Sequence, residues 1–338
     1  MPHKLRNIAI IAHVDHGKTT LVDAMFKQTS TFAIHQKENQ QTTILDSNEL
    51  ERERGVTILA KNTAVFWHDY KINILDTPGH ADFSGEVERV LNMADGCVLL
   101  VDAAEGVLSQ TRFVLQLALQ LGLLPIVVIN KVDRKDQRVK EVESEIADLF
   151  LDLAHTSEQL DFPTLYARGF EGIVGRTLEE QPDYSMIITD SNSLTPLFEA
   201  IVAVVPEPRG IAEGSLQLQI NSLESDEYIG TLAIGRVFRG QIRRGQAVVV
   251  LDHDGKARSA RVEHLFVFAG LTRQPVEVAP MGEIVAVAGI SKPHIGETIA
   301  DVIEPEALAP LSISEPTVKM QMSVNTSPFS GRDAQFST

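Results

Sequence analysis

Along the first two hundred residues, apolar positions recur with two different periods. "NIAIIAH" is a short apolar run that ends at a glycine-bearing loop. "GKTTLVDAMFKQ" reads as a helix with Leu21, Val22 and Met25 on one side. "TAVFWHDYKINILDT" predicts two strands joined at His68–Tyr70. "GEVERVLNMA" sets Val87, Val90, Leu91 and Ala94 on one helical face. "GCVLLVDA" and "LPIVVIN" are continuous apolar runs, the pattern of parallel strands covered on both faces. Between them, "QTRFVLQLALQLGL" repeats Val114, Leu117, Ala118 and Leu121 and stops at Gly122, a residue suited to the position after a helix end. "VKEVESEIADLFLDL" adds a further amphipathic helix. Strand–helix alternation of this kind predicts an α/β doubly wound sheet over residues 1–205, with ligands at the carboxyl ends of its strands.

The pattern changes after "VVPEPRG", where Pro206 and Pro208 predict a stiff linker. From Leu216 to about Ile303 helical periodicity gives way to short β-type runs spaced by glycine, with Asp254-Gly255 where a hairpin turn wants them. A small β-barrel over residues 211–308 is the expected second domain. "EPTVKMQMSVNTSPFSG" then alternates Val318, Met320, Met322 and Val324 with polar residues, one strand with one apolar face. A lone strand cannot bury such a face, so residues 315–338 are expected to open a third domain that is cut short.

Composition narrows the function classes. The chain has 338 residues, 43% of them hydrophobic, ample for packed cores and against disorder. Its single cysteine, Cys97, excludes an intrachain disulfide and fits a reducing cytoplasm. No apolar window is long enough to span a membrane, and the N-terminal run is too short for a signal peptide. The formal charge of −16 argues against a chain that wraps nucleic acid, and the one basic island, "RGQIRRGQ", reads as a solvated strand end. A nucleic-acid partner would be touched locally or through protein.

Four short motifs carry chemistry. A strand–loop–helix of the form GxxxxGK[ST] cradles phosphates with backbone amides and the helix N-terminus. The pattern runs from Ala12 to Thr19, with alanine in place of its first glycine. His13, Val14, Asp15, His16, Gly17, Lys18, Thr19 and Thr20 are therefore the phosphate-binding candidates. Gly17 permits close backbone approach, Lys18 reaches the β- and γ-phosphates, and the Thr19 hydroxyl is a magnesium ligand. In "INILDTPGH", Asp76 ends an apolar strand where it could hold Mg2+ through water, and Gly79 offers an amide to the γ-phosphate. In "IVVINKVD", Asn130, Lys131 and Asp133 close a buried strand. A carboxylate at Asp133 accepts from guanine N1–H and its exocyclic amine, donors that adenine lacks at that edge, and a site of this kind rejects the wrong base by about 10⁴-fold. In "LERERGVTI", Thr57 could complete the magnesium shell only when a γ-phosphate is present. Taken alone, each motif has a bland reading: a glycine-rich turn, a Lys–Asp surface pair, a solvated charged run. Their order and their placement at strand ends point to GTP or GDP with Mg2+. A zinc site at His13 and His16 lacks further ligands.

"AHVDHGKTT", "RERGVTI", "DTPGH" and "NKVD", together with "IGRVFRGQIRRGQ", resemble the ribosome-associated translational GTPases. Within that group "LDSNELERERGVTILAKNTA", "GHADFSGEVERVL", "EQLDFPTLYA" and "EPTVKMQMSVNTSPFSG" are most similar to the BipA/TypA family. The resemblance implies a P-loop GTPase sheet, an all-β translation-factor barrel and the first strand of a third domain, with further C-terminal domains in full-length members. It implies a cytoplasmic monomer whose partner is the ribosome, its rRNA and proteins, in ribosome assembly or stress-adapted translation. It implies that His80 orients the attacking water, that Val14 and Val56 form an apolar gate before it, and that Lys18 and Thr57 belong to the catalytic set. One departure stands in the guanine loop, where the family has Ser-Ala and this chain has Arg168-Gly169. Gly169 still supplies an amide for guanine O6, while Arg168 replaces the bracing serine and predicts weaker nucleotide affinity. An elongation factor G-like or ribosomal protection GTPase, or a nucleotide-binding fragment unable to dock on the ribosome, are the alternatives.

Overall fold

A computed structural model describes residues 4–29, 61–78, 84–226 and 228–311. Seven strands form the first sheet: β1 (Lys4–Ala12), β2 (Lys61–Trp67), β3 (Tyr70–Asp76), β4 (Gly96–Asp102), β5 (Leu124–Asn130), β6 (Thr164–Arg168) and β7 (Ile173–Gly175). Their spatial order is β2-β3-β1-β4-β5-β6-β7. The strands β3, β1, β4, β5 and β6 run parallel, and β2 and β7 close the two edges antiparallel. Among the described residues, five α-helices pack against this sheet or link it onward: α1 (Lys18–Gln28), α2 (Ser84–Leu91), α3 (Ser109–Gln120), α4 (Val139–Leu153) and α5 (Thr195–Val204).

Both faces of the sheet are covered, which is why its central strands read as unbroken apolar runs. One face packs Leu99, Val101, Val127 and Ile129 against α2, α3 and α4. The other packs Ile8, Ile10, Leu100 and Val128 against α1 and α5. The register sets Asp102 opposite Asn130, so polar residues end these two neighbouring strands side by side, with Ala167 of β6 beyond Asn130.

Several elements differ from expectation. Helix α1 is buried well beyond the expected stripe, with Ala24 and Phe26 also inside. In α3 the fully buried stripe is Val114, Leu115, Ala118 and Leu119, whereas Leu117 and Leu121 are half-buried at its rim. Gly122 holds a φ of 74°, the left-handed geometry of a helix terminator. Helix α2 ends at Leu91, so Ala94 is buried beyond it in the following turn. The strands β7, β8 (Leu178–Glu180) and β9 (Met186–Ile188), three residues each, have no counterpart in the sequence pattern.

The second unit is all-β. Its main sheet has the order β14-β13-β19-β10-β11-β18-β15-β16, built from β10 (Gln217–Asp226), β11 (Gly230–Arg239), β13 (Ala247–Leu251), β14 (Ala257–Arg261), β15 (His264–Ala269), β16 (Thr272–Pro275), β18 (Ile284–Ala288) and β19 (Thr298–Ala300). A short pair, β12 (Gln241–Arg243) with β17 (Val278–Pro280), completes it. Inward residues Leu218, Ile220, Val237, Val250, Val285 and Ile299 form its core. The turn between β13 and β14 is held by Asp252, whose Oδ1 accepts from the amides of Asp254 and Lys256, with Gly255 at a φ of 77°.

The two units share a seam of buried charge. Asp95 accepts from Asn7 Nδ2 at 3.0 Å, from Arg236 Nη2 at 2.9 Å and from the Arg209 amide at 3.1 Å. Arg236, fully buried, also donates to the carbonyls of Met93 and Arg209. Glu283 accepts from Lys71 Nζ at 2.8 Å and Asn73 Nδ2 at 3.2 Å. The stretch expected as a stiff linker is also tied down at its end: Arg209 is bonded to Asp95, and Pro208 lies beside Gly282. The third-domain strand expected over 315–338 lies outside the described residues.

Candidate functional site

The carboxyl ends of the parallel strands converge at one edge of the first sheet. After β1 the chain turns through His13–Gly17 into α1, with Asp15 at a φ of 64° and Gly17 at 95°. A Cβ on Gly17 would overlap the Asn130 side-chain amide, so the turn and the loop after β5 fit only with glycine there. Asn130 Nδ2 donates to the His16 carbonyl at 2.9 Å, and its Oδ1 accepts the Gly169 amide at 2.9 Å. One buried side chain thus joins the loops after β1, β5 and β6.

Lys18 opens α1 and is buried. Its Nζ lies 2.7 Å from Asp76 Oδ1 at the end of β3 and also donates to the Thr77 carbonyl. Thr77 Oγ1 donates to Ile10 O at 2.7 Å, which pins the turn after β3 to β1. Thr19 and Thr20 are half-buried at the helix start, and Val14 is half-buried in the loop before it. Lys131, at a φ of 60°, donates to the Asp15 carbonyl at 2.6 Å and pairs with Asp102 at 2.9 Å. Asp133 is exposed at the mouth of this loop.

His16 is fully enclosed, with Nδ1 3.4 Å from the Leu100 carbonyl oxygen and Nε2 3.4 Å from Glu105. Burial pulls its pKa below the ordinary histidine value, outweighing the Leu100 carbonyl and the Glu105 and Asp102 charges. It is a neutral structural post under the loop. The rings of His13 and His16 meet edge-on at 5.3 Å, and no group of three or more His, Cys, Asp or Glu suited to a metal occurs among the described residues. Arg168 forms an ion pair with Glu171 across the loop after β6. The Gly169 amide expected to meet guanine O6 is donated to Asn130 here.

The structure brings together His13, Val14, Asp15, His16, Gly17, Lys18, Asp76, Asn130, Lys131 and Gly169, through the bonds above or along the single loop that carries them. Thr57, Gly79, His80 and Val56 lie outside the described residues. Two further residues belong to this edge. Thr77 lies within "DTPGH", where the motif itself assigns it no chemistry. Asp102 ends "GCVLLVDA", and a carboxylate that closes a buried strand at the ligand edge of a doubly wound sheet was the available signal.

Three comparisons bear on this edge. Residues 3–207 match the family model of the elongation factor Tu GTP binding domain, and residues 230–300 match elongation factor Tu domain 2. The chain is 49% identical over 338 residues to the large ribosomal subunit assembly factor BipA of Escherichia coli (strain K12), covering all of this chain and 54% of that protein. It is 48% identical over 334 residues to the protein of the same name from Synechocystis sp., covering 99% of this chain and 54% of the relative. The chain thus spans about half the length of the curated relatives it matches. Among solved structures, the translation elongation factor SelB from Methanococcus maripaludis in complex with the GTP analogue GppNHp aligns with a TM-score of 0.64 at 20% identity, over 90% of this chain and 56% of that one. A bacterial selenocysteine-specific elongation factor aligns with a TM-score of 0.65 at 22% identity, over 89% of this chain and 45% of that one. At such identities the likeness concerns fold alone.

Proposed function

Because this chain belongs to the elongation factor Tu GTP-binding domain family, we propose that it binds GTP at the edge formed by β1, β3, β5 and β6, and hydrolyses it to GDP and phosphate in service of the ribosome. The observation that carries this reading is Asn130, whose amide group bridges the phosphate loop at His16 and the third loop at Gly169. That bridge sets a base-reading loop at a fixed distance from a phosphate-cradling one. The proposed nucleotide unit is residues 1–205, followed by a barrel over 211–308.

Within this reading, Asp133 accepts from the guanine edge, and the amides from Asp15 to Thr19 face the phosphates. Lys18, already desolvated and held between Asp76 and Thr77, supplies the positive charge that the transition state needs. His80, by its place in the family motif, orients the water. The oxygen donors at the site suit Mg2+: the Thr19 hydroxyl at the start of α1 and the Asp76 carboxylate at the end of β3 are hard ligands, and Mg2+ keeps waters and phosphate oxygens for the rest of its shell. When bound, the ion neutralises charge on the phosphates. Large-subunit assembly, the role named for the relatives, is the proposed setting, with a cytoplasmic monomer as the acting form. No helix among the described residues is long and apolar enough to cross a membrane.

The test is GTP turnover with and without ribosomes, for the wild type and His80→Ala. Slow turnover alone is expected, since no arginine is assigned to the transition state. Ribosomes should raise the wild-type rate at least tenfold (about 1.4 kcal/mol off the barrier) and leave the variant near its basal rate. Fast turnover without ribosomes would count against this reading. Because the chain spans about half the length of its relatives, a second reading is a nucleotide-binding unit that docks only with the rest of a longer protein. Co-sedimentation with ribosomes in a non-hydrolysable GTP analogue separates the two.

A further inference from the structure

Asp102 closes β4 in register with Asn130, and its side chain is fully buried. Oδ1 accepts from the amides of Ala104 at 2.7 Å and Glu105 at 3.2 Å, which folds the turn after the strand. Oδ2 receives two cations, Lys131 Nζ at 2.9 Å and Arg134 Nη1 at 3.2 Å. Both cations leave the loop after β5, and Asp133 sits between them in sequence.

In that loop the Arg134 amide donates to the Lys131 carbonyl at 3.1 Å, so Asp133 rides in a turn whose first and last residues are the two cations. It starts with Lys131 in the left-handed region, at a φ of 60°, a conformation that persists only where the surroundings impose it. The surroundings here are two anchors on one ammonium group: the Asp15 carbonyl in the phosphate loop and the Asp102 carboxylate. Arg134 grips the other end of the loop, and its Nε and Nη2 are held by Asp136. Burial works to raise the Asp102 carboxyl, but the hydrogen bonds from Lys131 and from the two amides outweigh it and hold it below the ordinary carboxylate range.

We propose that Asp102 is a positioning residue for base discrimination: by clamping Lys131 and Arg134 it fixes the backbone that presents Asp133 to the purine edge. This rests on the guanine-nucleotide reading above. The ligand class whose affinity depends on the clamp is the purine nucleotide carrying both an N1–H and an exocyclic 2-amine. Neutralising Asp102 leaves Lys131 and Arg134 without their common anion, and the loop then samples positions in which Asp133 no longer meets both donors.

The experiment compares GDP with IDP, whose base lacks the exocyclic amine, by calorimetric titration of the wild type and Asp102→Asn. Fluorescence of the single tryptophan, Trp67, reports whether each protein is folded. The wild type should prefer GDP. Asp102→Asn should weaken GDP by about tenfold, the scale of a charge-assisted hydrogen bond, and weaken IDP much less, so that the ratio of the two affinities falls towards one. A wild type with no preference for GDP removes the guanine reading, and this inference with it. A wild type that prefers GDP beside an Asp102→Asn that keeps the same ratio overturns this inference alone. That holds even if both affinities drop together, as a purely structural role would make them. Should Asp102→Asn not fold, Arg134→Gln alters a half-exposed partner of the same clamp. It should lower the ratio about threefold, the share of one of two ties, and an unchanged ratio there overturns the proposal.

Discussion

Several residues at the ligand edge do their work by being neutral or charged in a place where water cannot help. His16 is the clearest case. Its native pKa lies below the ordinary value because burial penalises the imidazolium. In the unfolded chain it takes up a proton near the usual pKa of about 6.5, while the native state stays unprotonated to lower pH. Stability must therefore fall as pH drops through the window below about 6.5 and down to the native value. His16→Gln should flatten that part of the profile, which denaturant midpoints between about pH 7.5 and 5.5 will measure. An unchanged slope would mean that His16 takes up its proton in the native protein over the same pH range as in the unfolded chain, and a steeper one that Glu105, 3.4 Å away, holds it protonated.

At the scale of single elements, the run "LQLALQLGL" places leucines two apart, so two helical phases compete for the inside. The structure keeps Val114 and Ala118 of the expected stripe inside but completes it with Leu115 and Leu119 instead of Leu117 and Leu121. The choice is made by α2 and α4, neighbours that local periodicity cannot see. Leu115→Ala should cost about 2–5 kcal/mol and Leu117→Ala clearly less. Equal losses in urea unfolding would show that the two phases pack alike. The same limit explains what else was and was not legible. The central strands and the motif loops stood out because each is a long apolar run closed by glycine or a charge. Strands of three residues, such as β7 to β9, are shorter than any period that could reveal them. Asp102 was visible as a strand-end carboxylate, but its task depends on Lys131 and Arg134, about thirty residues further along, and no local pattern links them.

Over the whole molecule, the governing feature is the charged seam between sheet and barrel. Asp95 and Arg236 are both fully buried, and removing one member of such a pair strands the other in a medium that cannot solvate it. Asp95→Ala should lower stability by about 3–5 kcal/mol, read as a shift in denaturant midpoint monitored at Trp67. A shift under about 1 kcal/mol would mean that water reaches the seam. The sequence concealed this joint because its two sides come from Asn7, Lys71, Asn73 and Asp95 on one unit and Arg236 and Glu283 on the other. The seam also limits how such proteins can be recombined. A barrel borrowed from another factor, however well folded by itself, would have to bring an arginine and a glutamate to the same two places. Otherwise the graft would bury an orphan aspartate and an orphan lysine, so the two units fit only as a matched pair.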